Sequence, residues 1–402
     1  MDGTFTYNHV KQAEEVGLSS ERLERITEYL EEDVRRKFIQ GAVVLVIRKG
    51  KIALLKGIGY SSLKTNKPMD ENTIFRIYSM TKPITSVALL TLYEKGLFKL
   101  SDPVSKYLPE LGDMRVIAKT DDEKTGFIRY STVAADKEMT IHNLLCHTSG
   151  IGGGVLSCPE IKRLYQKNRI IDYNQTLQEM IEKLGELPLA NHPGTVWEYG
   201  KSHDVLGRLI EVITGTTLND FLEQTIFKPL SMYDTGFYVE KSKLGRLADF
   251  SGEVCGDTSH LDITRLPNFI SGGSGGLSSI TDYSRFLTML YNGGQLGNVR
   301  ILGRKTIELM TSDHLDSLIG TGPDYIPGPG YGFGFGLGVR VKEGLSEVPG
   351  SIGEFNWLGR AATSFFVDKT EEMIGILMTQ KLKWARHYQT LFKTLVYQAI
   401  VD

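Results

Sequence analysis

The chain has 402 residues, 46 Lys+Arg against 48 Asp+Glu, a formal net charge of −2 and 41% hydrophobic residues. This is ordinary globular composition, long enough for two or three compact bodies or one enzyme-sized fold. Near-neutrality without a long basic run argues against a nucleic-acid partner, which needs a cationic field to displace counterions. No stretch of about 18 uncharged apolar residues exists, so no membrane span is expected, and the start, MDGTFTYNHVKQAEEVG, lacks the apolar core of a signal peptide. Three widely spaced cysteines, Cys146, Cys158 and Cys255, read as reduced thiols of a cytoplasmic protein. With no CxxC or HExxH, no metal site is expected. Glycine is in excess, with 43 residues.

In chain order, SSERLERITEYLEEDVRRKF (19–38) carries Leu23, Ile26, Leu30 and Val34 on one stripe behind a serine cap and predicts an amphipathic helix. Two apolar runs around Lys49-Gly50 predict a hairpin. Ile74–Tyr78 reads as an extended lead-in to a helix from Ser79 to about Lys95, which stops at Gly96. Helical patterns follow at 142–146, 175–185, 203–214 and 217–225, separated by loops rich in Gly, Pro and Asn. After a Gly-rich turn come a helix at 281–292, a strand over Tyr331–Val341, strands at 361–367 and 373–379, and a closing helix at 383–400. Strands near both ends with helices between predict one sheet built from both termini and a helical insertion.

Two Ser-x-x-Lys matches are present, Ser61 with Lys64 and Ser79 with Lys82. Nucleophilic use of the serine needs the lysine one helical turn away, on the same face. It also needs the serine N–H free at a helix N-terminus, where it can hold an oxyanion. Ser79 meets both conditions, whereas Ser61 reads as a solvated turn. The bland reading of Ser79 is a helix cap with a surface lysine. Gly272-Gly-Ser274-Gly-Gly276 matches the nucleophile-elbow pattern, but its preceding segment, TRLPNFI, is a poor strand and the next helix starts late. A loop allowing close backbone packing is the preferred reading. A desolvated lysine can be neutral and act as base, and Tyr199, just before the helix near Ser202, can relay the proton. Tyr199 is otherwise one of 18 tyrosines, most of which simply pack.

The segments FRIYSMTKPITSVALLTLYEKGLFKLSDPVSKYLPEL, LLCHTSGIG, WEYGKSHDVLGRLIEVITG, SGGSGGLSSITDYSRFLTMLYNGG and FNWLGRAATSFFVD…IGILMTQ occur in an order that resembles the serine β-lactamase-related superfamily in its class C-like branch. That branch includes penicillin-binding proteins, D-aminopeptidases, family VIII carboxylesterases and statin-type acyltransferases, and the resemblance spans about residues 20–400. It implies that Ser79 is acylated and that Lys82 and Tyr199 serve as its base pair. Lys201 stands where the family's Tyr-x-Asn motif has asparagine, and Trp357-Leu358-Gly359 stands where β-lactamases have Lys-Thr-Gly; both departures are similar to the family VIII esterases. The oxyanion donors carried over are the backbone N–H groups of Ser79 and Arg360. Losing the motif lysine removes a charge-assisted contact worth about 1.5–3 kcal/mol to a substrate carboxylate. Trp357 offers an apolar wall for a neutral acyl or alcohol group. Lys201 and Arg360 are candidates to restore positive charge, with Arg360 otherwise a surface side chain. Gly359 completes the substrate strand, and Asp204 reads as a cap or hydrogen-bond partner behind it. His147 reads as structural, His203 as facing solvent, and Cys146 as buried filling.

The implied fold is α+β: an antiparallel sheet flanked by helices (about 1–112 and 271–402) with a helical insertion (about 113–270), forming one β-lactamase/transpeptidase-like catalytic unit. Loops near 115–138 and 314–330 are expected at the cleft rim. The implied activity is hydrolysis of a small-molecule ester or amide through an acyl-enzyme without a cofactor, foremost as a carboxylesterase. β-Lactamase, D-amino-acid peptidase and acyltransferase activities are the alternatives, together with a catalytically silent binding protein on the same fold. Oligomeric state is left open.

Overall fold

The computed structural model describes residues 7–121, 128–153, 158–250, 262–315, 317, 319–321 and 325–402. Its central sheet runs, edge to edge, Asn8–His9, Lys51–Ser62, Gly41–Arg48, Met373–Thr379, Thr363–Asp368, Phe355–Gly359, Gly338–Arg340 and Tyr331–Phe333, with Lys67–Pro68 attached to Lys51–Ser62. Every pairing is antiparallel except that of the two-residue strand Asn8–His9. The sheet is therefore closed by the first and last thirds of the chain, as expected from the sequence.

Gly41–Arg48 is buried along its whole length. A strand sends alternate side chains to opposite faces, and here each face has its own core. Ala42, Val44 and Val46 pack with Leu23, Ile26 and Leu30 of helix Ser20–Arg35 and with Phe392 and Val396 of helix Ala385–Tyr397. Val43, Leu45 and Ile47 join the larger core, which contains helices Thr81–Glu94 and Ile280–Tyr291. Helix Ser20–Arg35 begins where the Ser19 hydroxyl accepts the Arg22 N–H at 3.2 Å. Helix Thr81–Glu94 is buried from Thr81 to Leu92, so it is enclosed on every face rather than along one stripe.

Several sequence expectations are corrected. The expected strand Tyr331–Val341 is a hairpin, Tyr331–Phe333 with Gly338–Arg340, because Gly336 takes φ +82° at its tip. Ser61 is not a solvated turn: it is 1% exposed at the end of a strand, and its hydroxyl donates to the carbonyl of Pro68 at 3.2 Å. The stretch expected as a loop near 115–138 contains the paired strands Arg115–Asp121 and Ile128–Ala134. Helices Pro159–Lys167 and Arg304–Met310 were not expected. Parts of both anticipated rim loops (122–127, 316, 318 and 322–324) lie outside the described residues, as does Cys255; Cys146 and Cys158 are free thiols. Among the described residues no helix is long and apolar enough to cross a membrane.

A buried ion pair ties the last helix to the sheet. Lys393 Nζ lies 2.5 Å from Glu354 Oε2, with side chains 3% and 0% exposed. The Tyr331 hydroxyl touches both partners, accepting from Lys393 at 2.8 Å and donating to Glu354 at 3.1 Å. Lys393→Met leaves the carboxylate buried and uncompensated, so a loss of about 3–5 kcal/mol is expected in urea unfolding. Pairing it with Glu354→Gln should restore most of that loss; a double variant no better than the single one contradicts this account.

Candidate active site

Ser79 lies in the tight turn Tyr78–Met80 between strand Ile74–Arg76 and helix Thr81–Glu94. Tyr78 takes φ +45°, a conformation costly for a bulky residue, of order 1–3 kcal/mol. That bend aims the next residue into the cleft. Ser79 is partly exposed between two buried neighbours, Tyr78 and Met80.

Lys82 follows one turn later and is 3% exposed. Its Nζ is 3.3 Å from Ser79 Oγ and 2.8 Å from the carbonyl oxygen of Gly273. Burial lowers its pKa to about 7, against a weaker opposing pull from the Asp204 carboxylate. A neutral amine here donates to Gly273 and keeps a lone pair for the serine proton.

Tyr199 meets this pair from the other side. Lys82 Nζ sits 4.4 Å from the centre of its ring. The side chain keeps an edge open while its phenol is enclosed, and burial raises its pKa to about 12. Ser79 and the indole N–H of Trp357 face the phenol oxygen and partly offset that rise, although the indole closes no full hydrogen bond. Trp357 is only 1% exposed, packed 5.8 Å from Tyr199 and 5.3 Å from Phe333 between ring centres. The expected stacking wall is thus a backing for Tyr199, because the hairpin at 331–340 covers it.

Gly359 explains how the far end of the sheet reaches Ser79. A Cβ there would lie 2.3 Å from the Ile77 carbonyl oxygen. Only glycine lets strand Phe355–Gly359 approach the Tyr78–Met80 turn this closely. The N–H of Arg360 follows just past the last pair of that strand, Gly359 with Thr363, while the Arg360 side chain is exposed.

The Gly-rich loop holds the lysine. Asp204, 2% exposed, accepts from the Ser271 hydroxyl at 2.5 Å and from the Gly273 N–H at 3.2 Å. It thereby fixes the carbonyl that receives Lys82. Ser274 Oγ is 3.0 Å from Ser271 Oγ, and strand Leu277–Ser279, not a helix, comes next. Gly272 is needed because a Cβ would meet the His203 carbonyl oxygen at 2.6 Å. Lys201 Nζ stands 3.8 Å from Asp204 Oδ2 and is directed to that carboxylate.

His203 does not face solvent as expected. It is fully buried under the hairpin tip, with Nε2 3.1 Å from Ser86 Oγ. His147 is also fully buried, its ring centre 4.9 Å from those of both Tyr199 and His203. Burial holds both imidazoles well below their usual pKa. Phe333 and Trp197 complete the aromatic cluster. Phe333 carries no local sequence signal, since no pattern marks a residue brought in from another hairpin.

A family model described as Beta-lactamase matches residues 26–398. The chain belongs to that family. Among relatives of this β-lactamase-family chain, Protein Rv1367c of Mycobacterium tuberculosis is 32% identical over 353 residues, covering 85% of this chain and 86% of that one. Lovastatin esterase of Penicillium rubens is 28% identical over 373 residues (84% and 88%). Esterase EstB of Burkholderia gladioli is 32% identical over 217 residues, about half of each chain (53% and 51%). The solved structure of EstCE1, described as a hydrolase with promiscuous acyltransferase activity, superposes with TM-score 0.76 at 25% identity, covering 94% of this chain and 99% of that one. The α+β architecture is thus that of the β-lactamase and transpeptidase-like fold.

If Lys82 is the base, kcat/KM for ester hydrolysis should fall about tenfold per pH unit below about 7, as the amine takes its proton, and stay level above it until Tyr199 ionises near 12. A profile without a break between pH 6 and 8 would remove Lys82 from that role.

Proposed function

We propose that this chain is a serine hydrolase that forms an acyl-enzyme, acting as a carboxylesterase on small acyl esters. The observation that carries the reading is the Ser79 hydroxyl 3.3 Å from an amine that burial brings to a pKa of about 7. Neutral Lys82 takes the proton as Ser79 Oγ attacks the ester carbonyl. The oxyanion rests on the N–H groups of Ser79 and Arg360. The Lys82 ammonium that forms is held against the Tyr199 ring. Tyr199, a neutral phenol at physiological pH, gives its proton to the departing alcohol and regains one from Lys82. Water then attacks the acyl-serine by the reverse relay. These steps need no cofactor. Residues 113–270 supply Tyr199 and Asp204, and the flanking stretches supply the rest, so the two subdomains act as one unit.

The ester preference rests on Trp357 in place of a motif lysine and on Lys201 engaged with Asp204, which leave little charge for a substrate carboxylate. A pocket beside the Gly-rich loop, walled by Tyr78, Tyr173, Phe237 and Phe269 with Arg76 and Asp262 among its lining, offers mainly aromatic surface to an acyl or alcohol group. Acyl transfer to a second alcohol is the runner-up, favoured by that pocket and by the activity named for EstCE1. Parallel assays with p-nitrophenyl butyrate and nitrocefin test the assignment. The ester should be turned over with kcat/KM about ten- to a hundredfold above that of the lactam, the range set by about 1.5–3 kcal/mol for the missing charge contact; a reversed preference overturns it.

A further inference from the structure

Against Phe335 of the hairpin at 331–340 lies a second cluster that the proposed reaction does not use. His142 and Cys146 are one turn apart at the end of helix Ile141–Leu145, so their side chains share a face. His314 comes to them from the segment after helix Arg304–Met310. One ligand atom from each lies within 4.8 Å of the other two. His142 Nε2 is 3.2 Å from His314 Nδ1, and Cys146 Sγ is 3.7 Å from His142 Nε2. A tetrahedral ion about 2.0 Å from nitrogen and about 2.3 Å from sulfur needs N–N near 3.3 Å and N–S near 3.5 Å. Two of the three edges approach those spacings, while Cys146 Sγ and the His314 ring stand within 4.8 Å of one another, and full closure asks these two groups to draw together.

We propose that His142, Cys146 and His314 form a three-ligand site for a thiophilic divalent cation, zinc foremost.

Three further observations support the assignment. His314 Nε2 lies 2.7 Å from the Leu309 carbonyl oxygen, a contact that requires its proton on Nε2 and leaves the Nδ1 lone pair directed at the cluster. Such an outer hydrogen bond is the usual device that orients a metal-bound histidine. The Phe335 ring stacks on His314 at 4.1 Å and meets His142 edge-on at 5.7 Å, fixing both imidazoles. The neighbouring Asp313 carboxylate adds negative charge beside the cluster. Two imidazoles with one thiolate suit zinc over magnesium or calcium. On binding, the Cys146 S–H bond breaks, a sulfur–metal bond forms, and one proton leaves to solvent. His142 and His314 are partly exposed, and three protein ligands leave a fourth tetrahedral position for water.

The full chain, stripped with a chelator and dialysed, is titrated with Zn²⁺ and separately with Co²⁺. One Zn²⁺ per chain should bind with release of one proton, and Co²⁺ should give a thiolate-to-metal charge-transfer band. His314→Gln and Cys146→Ser should each weaken Zn²⁺ binding by more than the roughly 10–100-fold that loss of an outer partner costs, with far-ultraviolet circular dichroism unchanged. His314→Gln, at a partly exposed position, keeps the test open if the buried cysteine variant fails to fold. Absence of the charge-transfer band in wild type, or undiminished Zn²⁺ binding by His314→Gln, overturns the proposal.

Discussion

Ser79→Ala is expected to lower kcat on p-nitrophenyl butyrate by about 10⁴–10⁶-fold, the scale on which loss of a catalytic nucleophile is felt. The argument is local. Among the described residues, Ser79 is the serine with a hydroxyl next to Lys82 Nζ, and its turn is held open by the positive φ of Tyr78. The alternative nucleophile, Ser274, has Ser271 as its hydroxyl neighbour, and Ser271 in turn donates to Asp204. An alanine at 79 removes one oxygen from a partly exposed position, so folding should be unaffected. Intact-protein mass spectrometry with a fluorophosphonate should show one adduct in wild type and none in the variant. An adduct on Ser274, or turnover within tenfold of wild type, would reassign the nucleophile.

Lys82→Met should cost about 10²–10⁴-fold in kcat/KM, the usual weight of a positioned general base. Methionine matches the length of the lysine stem and fits its dry surroundings, so the chain should keep its fold. The lost groups are the lone pair facing Ser79 and the donor to Gly273. The same variant should lose the activity break near pH 7, because the titrating group is gone. Survival of that break in Lys82→Met would point to another base.

How far the sequence spoke for itself depends on distance along the chain. Ser79 and Lys82 share a helical turn, so their pairing was legible from spacing and context. Tyr199 was a candidate from its place before a helix, but its partnership with Ser79, like the roles of Arg360 and Gly359, came from the family resemblance, since nothing local ties residue 199 or 360 to residue 79. His203 was misread because its burial comes from the hairpin tip at Gly336, which no pattern near 203 announces. The strand reading of Tyr331–Val341 failed for a related reason: alternating Gly and Phe or Leu mimics a strand, while the turn needs only Gly336 at positive φ. Trp357 was assigned to the cleft by its motif position, but packing against Phe333 placed it beneath Tyr199. The cluster at His142, Cys146 and His314 escaped for want of a closely spaced motif, its third member lying far downstream.

The pairing of Gly41–Arg48 with Met373–Thr379 has a consequence for synthesis on the ribosome. An almost wholly apolar strand leaves the exit tunnel long before its neighbour on one side, Met373–Thr379, is made. At roughly 5–20 residues per second, on the order of a quarter of a minute to a minute passes before that edge can be covered. Throughout that interval the nascent chain presents an unpaired hydrophobic edge, the kind of surface that chaperones bind and aggregates recruit. The helix that follows Ser79 can form long before strand Phe355–Gly359 exists, so the close approach of Gly359 to Ile77 is made only once that later strand has emerged.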